Sequence, residues 1–307
     1  MSSSFPSSRS SGQTSGETSA GPGPAQHEVA RLDPGLYIVS TPIGNLRDIT
    51  LRALDTLAAV DEVLAEDTRV ARKLLDAHGL HAKVSPYHDH NGAERRPGLI
   101  ERLRDGARLA LISDAGTPLV SDPGWKLVHE ARKAGVRIVP VPGASAMLAG
   151  LVASGLASDR FMFCGFLPPK TGPRKRAAEE LKTVPSTLIF YEGGSRLAAS
   201  IADLAEILGP KRDCVVAREL TKLFEEVRSG TLEELAAHYE ANGAPKGEIV
   251  VLVGPPEVKA AEAGDIDAAL TDAMQRLPMK AAANEVADVF GLSKRDLYQR
   301  ALQLKNG

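Results

Sequence analysis

The sequence is poor in cysteine, in aromatic residues and in net charge, and each shortage excludes a class of protein. Its 307 residues include two cysteines and one tryptophan, aromatic residues make up 4%, and the formal net charge is -2. Two cysteines exclude a disulfide scaffold. Because Cys164 and Cys214 both lie in apolar runs, we expect buried thiols in a reducing compartment, with a disulfide between them as the alternative. With so little net charge, any contact with nucleic acid depends on a local basic surface.

The sequence also lacks the signals of membrane insertion and secretion. No apolar run is long enough to span a bilayer, and the Ser-, Gly- and Pro-rich start lacks the apolar segment of a signal peptide. We therefore expect a cytoplasmic protein.

Two common nucleotide-binding motifs are missing as well. The turn Thr41–Leu46, between the first predicted strand and its helix, has neither G-x-G-x-x-G nor the lysine of a P-loop. This argues against NAD binding and ATP hydrolysis. Gly44 still lets backbone amides face a ligand. The alternative is a tight turn in which Asp48 caps the helix that follows.

What is present is a regular alternation of strand and helix patterns, which predicts an α/β protein of two domains. We assign residues 1–33 to a disordered N-terminal tail of low complexity. Residues 34–149 are predicted to form an N-terminal α/β domain with a mostly parallel sheet. Residues 150–256 are predicted to form a C-terminal α/β domain with a mixed sheet, because fewer helix patterns separate its strands. Residues 264–307 are predicted to be a helical extension.

The C-terminal extension resembles a helix-turn-helix, with Ala281–Phe290 and Leu292–Leu304 joined at a glycine. Lys294, Arg295 and Arg300 lie on the second helix. The pattern fits a contact with nucleic acid. A small helical cap or dimer element explains it equally well.

The loop Ser113–Gly124 is the richest candidate for a ligand site. It follows the apolar strand Arg108–Ile112 and precedes a helix that starts at Trp125. Ligands of α/β proteins bind beyond the carboxyl ends of strands, where Gly116 allows close approach of the backbone. The loop Pro142–Ala146 has similarly small residues, although packing alone explains it nearly as well.

Two further polar loops follow predicted strands. Glu66, Asp67 and Arg69 follow the second strand, where they serve a site, or where Asp67 simply caps the next helix. The segment His88–Asn91 carries two histidines around an aspartate, which suggests a metal. No third ligand stands at a usable spacing, so a polar loop that contacts substrate is the preferred interpretation. The helix after it is predicted from about residue 96 to 105.

A basic segment follows the strand Phe161–Phe166, whose first residues we assign to the apolar core. Proline and glycine predict a loop over residues 168–176. Its cations fit contacts with RNA phosphates, and a solvated surface loop is the alternative. They are Lys170, Arg174, Lys175 and Arg176.

Eight short motifs, in order and at matching spacing, resemble the RNA-modifying branch of the tetrapyrrole-methylase superfamily of S-adenosylmethionine-dependent enzymes. The resemblance covers about Leu36 to Val253. The motifs are Leu36–Leu46, Ala65–Arg69, His88–Asn91, Ser113–Pro118, Gly165–Pro168, Thr187–Glu192, Ala217–Lys222 and Lys246–Glu248.

The resemblance implies a two-domain α/β fold that binds S-adenosylmethionine in the cleft between domains. It also implies 2′-O-methylation of a cytidine ribose in the decoding region of 16S rRNA. The implied cofactor residues are Thr41, Pro42 and Gly44 as one wall, Asp114, Ala115, Gly116 and Thr117 around the methionine part, and Ser145, Ala146, Tyr191 and Ala217 around the rest.

One departure from the family pattern follows Glu192. Relatives often have Ser-Pro-His-Arg at that point, and this sequence has Gly193-Gly194-Ser195-Arg196. The arginine is kept and the histidine is not, which argues against a catalytic histidine here.

The chemistry requires the hydroxyl, the methyl group and the sulfur to be in line, with a base to take the proton. Our candidates are Glu66, Asp67, Arg69 and Lys222. Lys222 would serve as a base only if its pKa were lowered, which a cleft shared with Arg69 and Arg218 could achieve.

The expected partners follow from the same resemblance. The substrate is expected to be the assembled 30S subunit, and superfamily precedent suggests a homodimer. Two other functions stay open at this point: methylation of a tetrapyrrole or protein side chain, and a non-catalytic RNA-binding role in ribosome assembly.

Overall fold

The computed structural model describes residues 32–256 and 263–306. The proposed N-terminal tail therefore lies almost wholly outside the described residues. The described chain divides into two compact units that interleave along the sequence. Unit 1 contains residues up to Val39, Ile49–Asp114 and Pro123–Pro142. Unit 2 contains Ser40–Asp48, Ala115–Asp122 and the chain from Gly143. The domain boundary that the sequence analysis places near Ala149 stays a prediction about where the chain divides into independently folding parts.

Unit 1 is built on a five-stranded parallel sheet of order β3-β2-β4-β1-β5. Its strands are β1 (Gly35–Val39), β2 (Glu62–Ala65), β3 (Val84–Pro86), β4 (Arg108–Ile112) and β5 (Ile138–Val141). Its helices are α1 (Leu51–Ala59), α2 (Thr68–Ala77), α3 (Asp89–Arg104) and α4 (Trp125–Lys133). Because β1 and β4 are central, their residues are almost wholly buried. The parallel sheet predicted for this half is confirmed.

Two helix starts in unit 1 differ from the predictions. Helix α1 begins after Thr50, whose hydroxyl accepts a hydrogen bond from the Ala53 amide at 3.1 Å, so Asp48 is not the cap. Helix α3 begins at Asp89 rather than near residue 96. There the amide of His88 donates to Oδ1 of Asn91 at 3.0 Å, which closes the first turn seven residues earlier than predicted.

Unit 2 carries a mixed sheet of order β6-β7-β10-β8-β9, in which β6 and β7 are parallel and the other neighbours antiparallel. Its strands are β6 (Phe161–Phe166), β7 (Thr187–Gly193), β8 (Asp213–Arg218), β9 (Glu226–Thr231) and β10 (Glu248–Val253). Its first four helices are α5 (Ala146–Ser154), α6 (Thr171–Leu181), α7 (Gly194–Leu208) and α8 (Leu232–Asn242). The mixed sheet is confirmed.

The two faces of the mixed sheet bury different partners. Leu188 and Phe190 of β7 point into a core that includes side chains of α7 and α8. Ile189 points to the other face, where it packs with Leu151 of α5 and with Ile43. Alternation along a strand explains this division. The loops that precede α5 therefore share a sheet face with Ile189.

Two predictions about the start of unit 2 are wrong. The basic segment is not a loop, because α6 starts at Thr171. Gly172 and Pro173 fall in its first turn, where an amide has no partner within the helix and proline is tolerated. Phe161 and Met162 are not core residues. They are 41% and 43% exposed, because β6 is an edge strand.

Three helices follow after the segment that is not described: α9 (Ala263–Arg276), α10 (Met279–Phe290) and α11 (Lys294–Asn306). They bury a small core of their own, which includes Leu270, Val286 and Leu297. Gly291 ends α10 with a left-handed φ of 65°, as the predicted turn requires. The helical extension is confirmed.

Both cysteines are free thiols. Burial raises the pKa of Cys164 to about 11 and raises that of Cys214 further. Cys214 is buried as predicted, whereas Cys164 is only partly buried. Within the described ranges, no helix is long and apolar enough to cross a membrane.

Candidate functional site

Three loops of unit 2 are joined by hydrogen bonds. The amide of Thr41 donates to the Gly116 carbonyl at 2.8 Å, and the Gly116 amide donates back to the Thr41 carbonyl at 3.0 Å. The Ser40 and Thr117 hydroxyls are 3.0 Å apart, and Thr117 also donates to the Ala144 carbonyl at 3.2 Å. The loops that follow β1, β4 and β5 therefore form one connected group, which we call the loop group.

Glycines keep this loop group tight. A Cβ on Gly143 would lie 2.9 Å from Cβ of Ser40, too close for an unstrained contact. Gly116 has a φ of 80°, and Leu119 and Ser121 in the same loop also have positive φ values, 75° and 62°. Such conformations are costly outside glycine and concentrate at functional sites. The predicted loop therefore has a strained backbone, and its role in ligand binding stays a prediction.

Lys222 lies against the first of these loops. A Cβ on Gly44 would come within 2.5 Å of Cγ of Lys222, so glycine is needed for the lysine stem to pass. The Lys222 ammonium is 2.8 Å from Oε1 of Glu219 and 2.7 Å from Oε2 of Glu248. The structure therefore brings Lys222 to Gly44, and it also supplies two carboxylates that the sequence analysis did not assign.

The electrostatics around Lys222 contradict its expected role as a base. Burial alone would lower the pKa of Lys222, but its hydrogen bonds to Glu219 and Glu248 outweigh burial and raise the pKa. Arg218, which was expected to lower it, is paired with Glu226 at 3.0 Å. The raised pKa favours the charged form of Lys222, which is the opposite of what a role as base requires.

The loop that carries Lys222 is strained. Glu219 and Thr221 have φ values of 51° and 67°. The carboxylate of Glu219 also accepts from the Glu248 amide at 3.1 Å, and Gly247 beside it has no room for a side chain. Oγ1 of Thr221 is buried without a hydrogen-bond partner among the described residues. An orphaned hydroxyl of this kind marks a place where a ligand can bind.

The remaining cofactor candidates of unit 2 lie on the sheet face that carries α5. Ser145 is the residue before α5 and Ala146 begins it. The Tyr191 hydroxyl accepts a hydrogen bond from the Met147 amide, yet burial dominates and raises the tyrosine pKa. Ala217 is 1% exposed in the same core. Pro42 is buried and Ala115 exposed within the loop group, and Asp114 belongs to unit 1.

In unit 1, Asp67 and Arg69 form a local helix cap. Asp67 accepts from the Arg69 amide at 2.8 Å and from its guanidinium at 2.6 Å. These hydrogen bonds hold the pKa of Asp67 at about 2. The capping interpretation is therefore confirmed, and a carboxylate with so low a pKa is a poor proton acceptor. Arg69 pairs with Asp67 instead of with Glu66.

Glu66 has the opposite environment. It is half-buried, and burial raises its pKa, with further increases from the carboxylates of Asp114 and Asp89. The Asp114 carboxylate also accepts from the Asp67 amide at 3.0 Å. Within the part of the chain that the structure describes, no cluster of three or more His, Cys, Asp or Glu is arranged to hold a metal ion. Burial, followed by the neighbouring acids, therefore raises the proton affinity of Glu66.

The four cations of the basic segment separate into two pairs. Arg174 is buried and pairs with Asp203 at 2.6 Å, and Lys175 pairs with Glu206 at 2.6 Å. Lys170 and Arg176 are exposed and have no ion pair among the described residues. Only the second pair has the freedom that phosphate contacts require.

A buried network at the end of β7 was not predicted from the sequence. Glu192 is 4% exposed, pairs with Arg196 and accepts from the Ser200 hydroxyl at 2.6 Å. The Glu-x-x-x-Arg spacing at a strand-to-helix junction was the available signal. A Cβ on Gly194 would overlap the Pro245 carbonyl oxygen, which explains a glycine at this departure from the family pattern.

The cations of the C-terminal helices are divided between ion pairs and unpaired side chains. Lys294 pairs with Asp288 at 2.9 Å, and Arg300 pairs with Asp267 at 2.5 Å. Arg295 is exposed and has no ion pair within residues 263–306. Lys280 and Lys305 are likewise exposed and without an ion pair in this range, so the packing and nucleic-acid interpretations of the extension both stay predictions.

Comparison with known proteins agrees with this architecture. Residues 35–236 match the family model of tetrapyrrole (corrin/porphyrin) methylases, and residues 260–305 match the RsmI C-terminal HTH domain. Among solved structures, cobalt precorrin-4 methyltransferase CbiF superposes with a TM-score of 0.55 at 21% identity, covering 71% of this chain and 94% of that one. Diphthine synthase gives 0.56 at 18% identity, with 71% and 89% covered. These likenesses establish the fold.

Curated relatives are much closer in sequence. Ribosomal RNA small subunit methyltransferase I of Mesorhizobium japonicum is 56% identical over 275 residues, which cover 90% of this chain and 94% of the relative. The protein of the same name from Escherichia coli O157:H7 is 45% identical over 284 residues, with 91% and 98% covered. The chain therefore belongs to the tetrapyrrole methylase family and, within it, to the ribosomal RNA small subunit methyltransferase I proteins.

Proposed function

We propose that this protein transfers a methyl group from S-adenosylmethionine to the ribose 2′-oxygen of a cytidine, cytidine 1402, in the decoding region of 16S rRNA. The observation that carries the proposal is the connected loop group of unit 2, with Lys222 against Gly44, in a chain of a methyltransferase family. The names of the relatives describe methyltransferases of the small-subunit ribosomal RNA, which supports this substrate.

The loop group fits S-adenosylmethionine by its chemistry. Gly44, Gly116 and Gly143 let the loops and Lys222 pack closely around one another, and the orphaned Thr221 hydroxyl supplies a polar group without a partner in the protein. When bound, S-adenosylmethionine supplies an activated methyl group on a sulfonium centre. We assign Thr41, Pro42 and Gly44 to one wall, Asp114, Ala115, Gly116 and Thr117 to the methionine part, and Ser145, Ala146, Tyr191 and Ala217 to the remainder.

We assign the proton acceptor to Glu66. A base for a ribose hydroxyl works best when its pKa lies close to the operating pH, and burial with neighbouring carboxylates moves Glu66 in that direction. Asp67 and Arg69 then hold the start of α2, because each is the partner of the other. Lys222 acts as a fixed cation that orders its strained loop.

The assembled 30S subunit is the proposed substrate, which places the reaction in the cytoplasm. Lys170 and Arg176 are the proposed phosphate contacts, since Arg174 and Lys175 are held by carboxylates of unit 2.

The proposed working form is a homodimer. Leu148 and Val152, one turn apart on α5, are 44% and 81% exposed and suit an interface, which light scattering after gel filtration tests.

The deciding experiment is methyl transfer to 30S subunits from a strain that lacks this modification. Purified protein and S-adenosylmethionine with a labelled methyl group are expected to yield one 2′-O-methylcytidine per subunit, located by mass spectrometry of nuclease fragments. Calorimetry measures cofactor binding in parallel. Binding of S-adenosylmethionine without transfer to the subunit would contradict the proposed substrate, and an absence of binding would contradict an enzymatic role.

A further inference from the structure

Strand β6 contains a bulge. Phe163 pairs with Ile189 of β7, but the next paired residue is Gly165, opposite Phe190, so Cys164 is an extra residue. Gly165 has a left-handed φ of 66°, which suits glycine at such a point. The bulge shifts every later side chain of the strand to the other face of the sheet.

Phe166 is the residue that the bulge redirects. In a regular strand, residues three apart lie on opposite faces. Here Phe163 and Phe166 both contact the ring of Tyr191 edge to face, with centroids 4.8 and 5.7 Å apart. Tyr191 belongs to the core that contains Ile43 and Ala144. The bulge therefore places Phe166 on the sheet face that carries the loop group.

The Phe166 ring is held and exposed at the same time. Its neighbour Tyr191 is fixed by the hydrogen bond that it accepts from the Met147 amide. Phe166 itself is 57% exposed. An aromatic ring that is kept in solvent by a dedicated bulge, beside a candidate site, offers one free face for stacking.

The chain that follows Phe166 supplies unpaired cations. Lys170 is the residue before α6, and the Arg176 guanidinium lies near Gly172 in the first turn, with Nη1 3.8 Å from where a Cβ would be. Both side chains are exposed and have no ion pair among the described residues. An exposed ring followed within ten residues by two free cations matches how proteins hold unpaired nucleotides, by stacking the base and pairing the phosphates.

We propose that Phe166 is a stacking platform for an unpaired nucleobase of the RNA substrate, with Lys170 and Arg176 contacting the phosphates beside it. The proposal rests on the proposed function for the identity of the substrate as RNA. It adds a binding subsite for the base, on the sheet face of the loop group.

The test separates stacking from charge. Phe166→Leu removes the ring and keeps an apolar side chain, whereas Phe166→Trp replaces the ring with a larger aromatic ring. Phe161→Leu is the matched control, because Phe161 is an exposed ring at the other end of the same strand. The measurements are kcat and KM for undermethylated 30S subunits across a salt series, the Kd for S-adenosylmethionine, the melting temperature and the mass in solution.

Phe166→Leu is expected to raise KM for the subunit about tenfold, as loss of one stacked base does, while its salt dependence stays that of the wild type. Phe166→Trp is expected to recover the wild-type KM. The double variant Lys170→Ala, Arg176→Ala is expected to flatten the salt dependence instead.

Three outcomes would overturn the proposal: a KM for Phe166→Leu equal to that of Phe161→Leu, a weakened Kd for S-adenosylmethionine, or a change of mass in solution. The second would place the ring against the cofactor and the third against another copy of the chain. Failure of the proposed function would give a different result, because the wild-type protein would then not methylate the subunit at all.

Discussion

Glu66 in unit 1 and Lys222 in unit 2 are the two partly buried charges of the candidate machinery, and their surroundings are opposite. Burial and the carboxylates of Asp114 and Asp89 raise the pKa of Glu66. Lys222 is instead bound by Glu219 and Glu248, which raise its pKa against the effect of burial. Burial and neighbouring carboxylates favour the protonated form of Glu66, whereas two carboxylates favour the charged form of Lys222 and hold it in place. These opposite surroundings support the proposal that Glu66 takes the proton and that Lys222 has a positioning role.

The largest expected effect is that of Glu66→Gln, which removes the proton acceptor. We expect kcat to fall by about 10²- to 10⁴-fold with little change in the Kd for S-adenosylmethionine. Because the pKa of Glu66 is raised, the wild-type kcat is expected to decline with falling pH at a higher pH than it would with a glutamate of ordinary pKa. That acid limb is expected to be absent from the variant. A variant that retains both the wild-type rate and the acid limb excludes Glu66 from the chemistry.

Removal of the fixed cation is expected to have a smaller effect. Lys222→Met leaves Glu219 and Glu248 without their shared partner, so the strained loop loses its order, and we expect kcat/KM to fall about 10- to 100-fold. Lys211→Met is the control, because Lys211 also pairs with a carboxylate, that of Glu233, but its side chain is far more exposed than that of Lys222. Equal rates for the two variants would show that the Lys222 network is dispensable.

Gly44→Ala tests the contact between Lys222 and the first loop. The new methyl group would occupy the space of the Lys222 stem, so the lysine must move away from its carboxylates. We expect about tenfold weaker binding of S-adenosylmethionine by calorimetry. Gly98→Ala serves as control, since a Cβ there meets nothing within 4 Å. Wild-type affinity in Gly44→Ala would mean that the loop accommodates the displaced lysine.

Asp67→Asn is expected to have the smallest effect on catalysis, with kcat within about twofold of wild type, because Asp67 is a helix cap. Its effect lies in acid stability. A pKa of about 2, below that of an unfolded aspartate, means that the carboxylate stabilises the fold above about pH 4 and loses this contribution as pH falls toward 2. Melting temperatures of wild type and variant should converge over that range. A large loss of kcat would instead return Asp67 to the reaction.

Much of the fold followed from local pattern. Buried runs such as Arg108–Ile112 and the alternation of strand with helix predicted the parallel sheet, because parallel strands covered on both faces are continuously apolar. The helix start at Asp89 was missed because its cap uses a side chain, Asn91, that reaches back to the His88 amide. The start of α6 was missed because proline and glycine mark loops everywhere except in the first turn of a helix.

The candidate site was predicted unevenly. The loops around Thr41, Gly116 and Ser145 stand out in the sequence because glycine, proline and hydroxyl residues cluster after apolar strands. Which polar residues act on which was not readable. Glu248 is 26 residues from Lys222 in the chain, and their ion pair exists because β10 lies beside β8 in the sheet.

The sequence alone determined the α/β class, the position of the glycine- and proline-rich candidate loops and the family, since these depend on residue types at short spacing. Tertiary structure alone decided the protonation behaviour of Glu66 and Lys222, the burial of Arg174 and the exposure of Phe166. A pKa depends on charges within a few ångströms, and burial depends on which strand lies at the edge of a sheet. Both are set by contacts between residues distant in the chain.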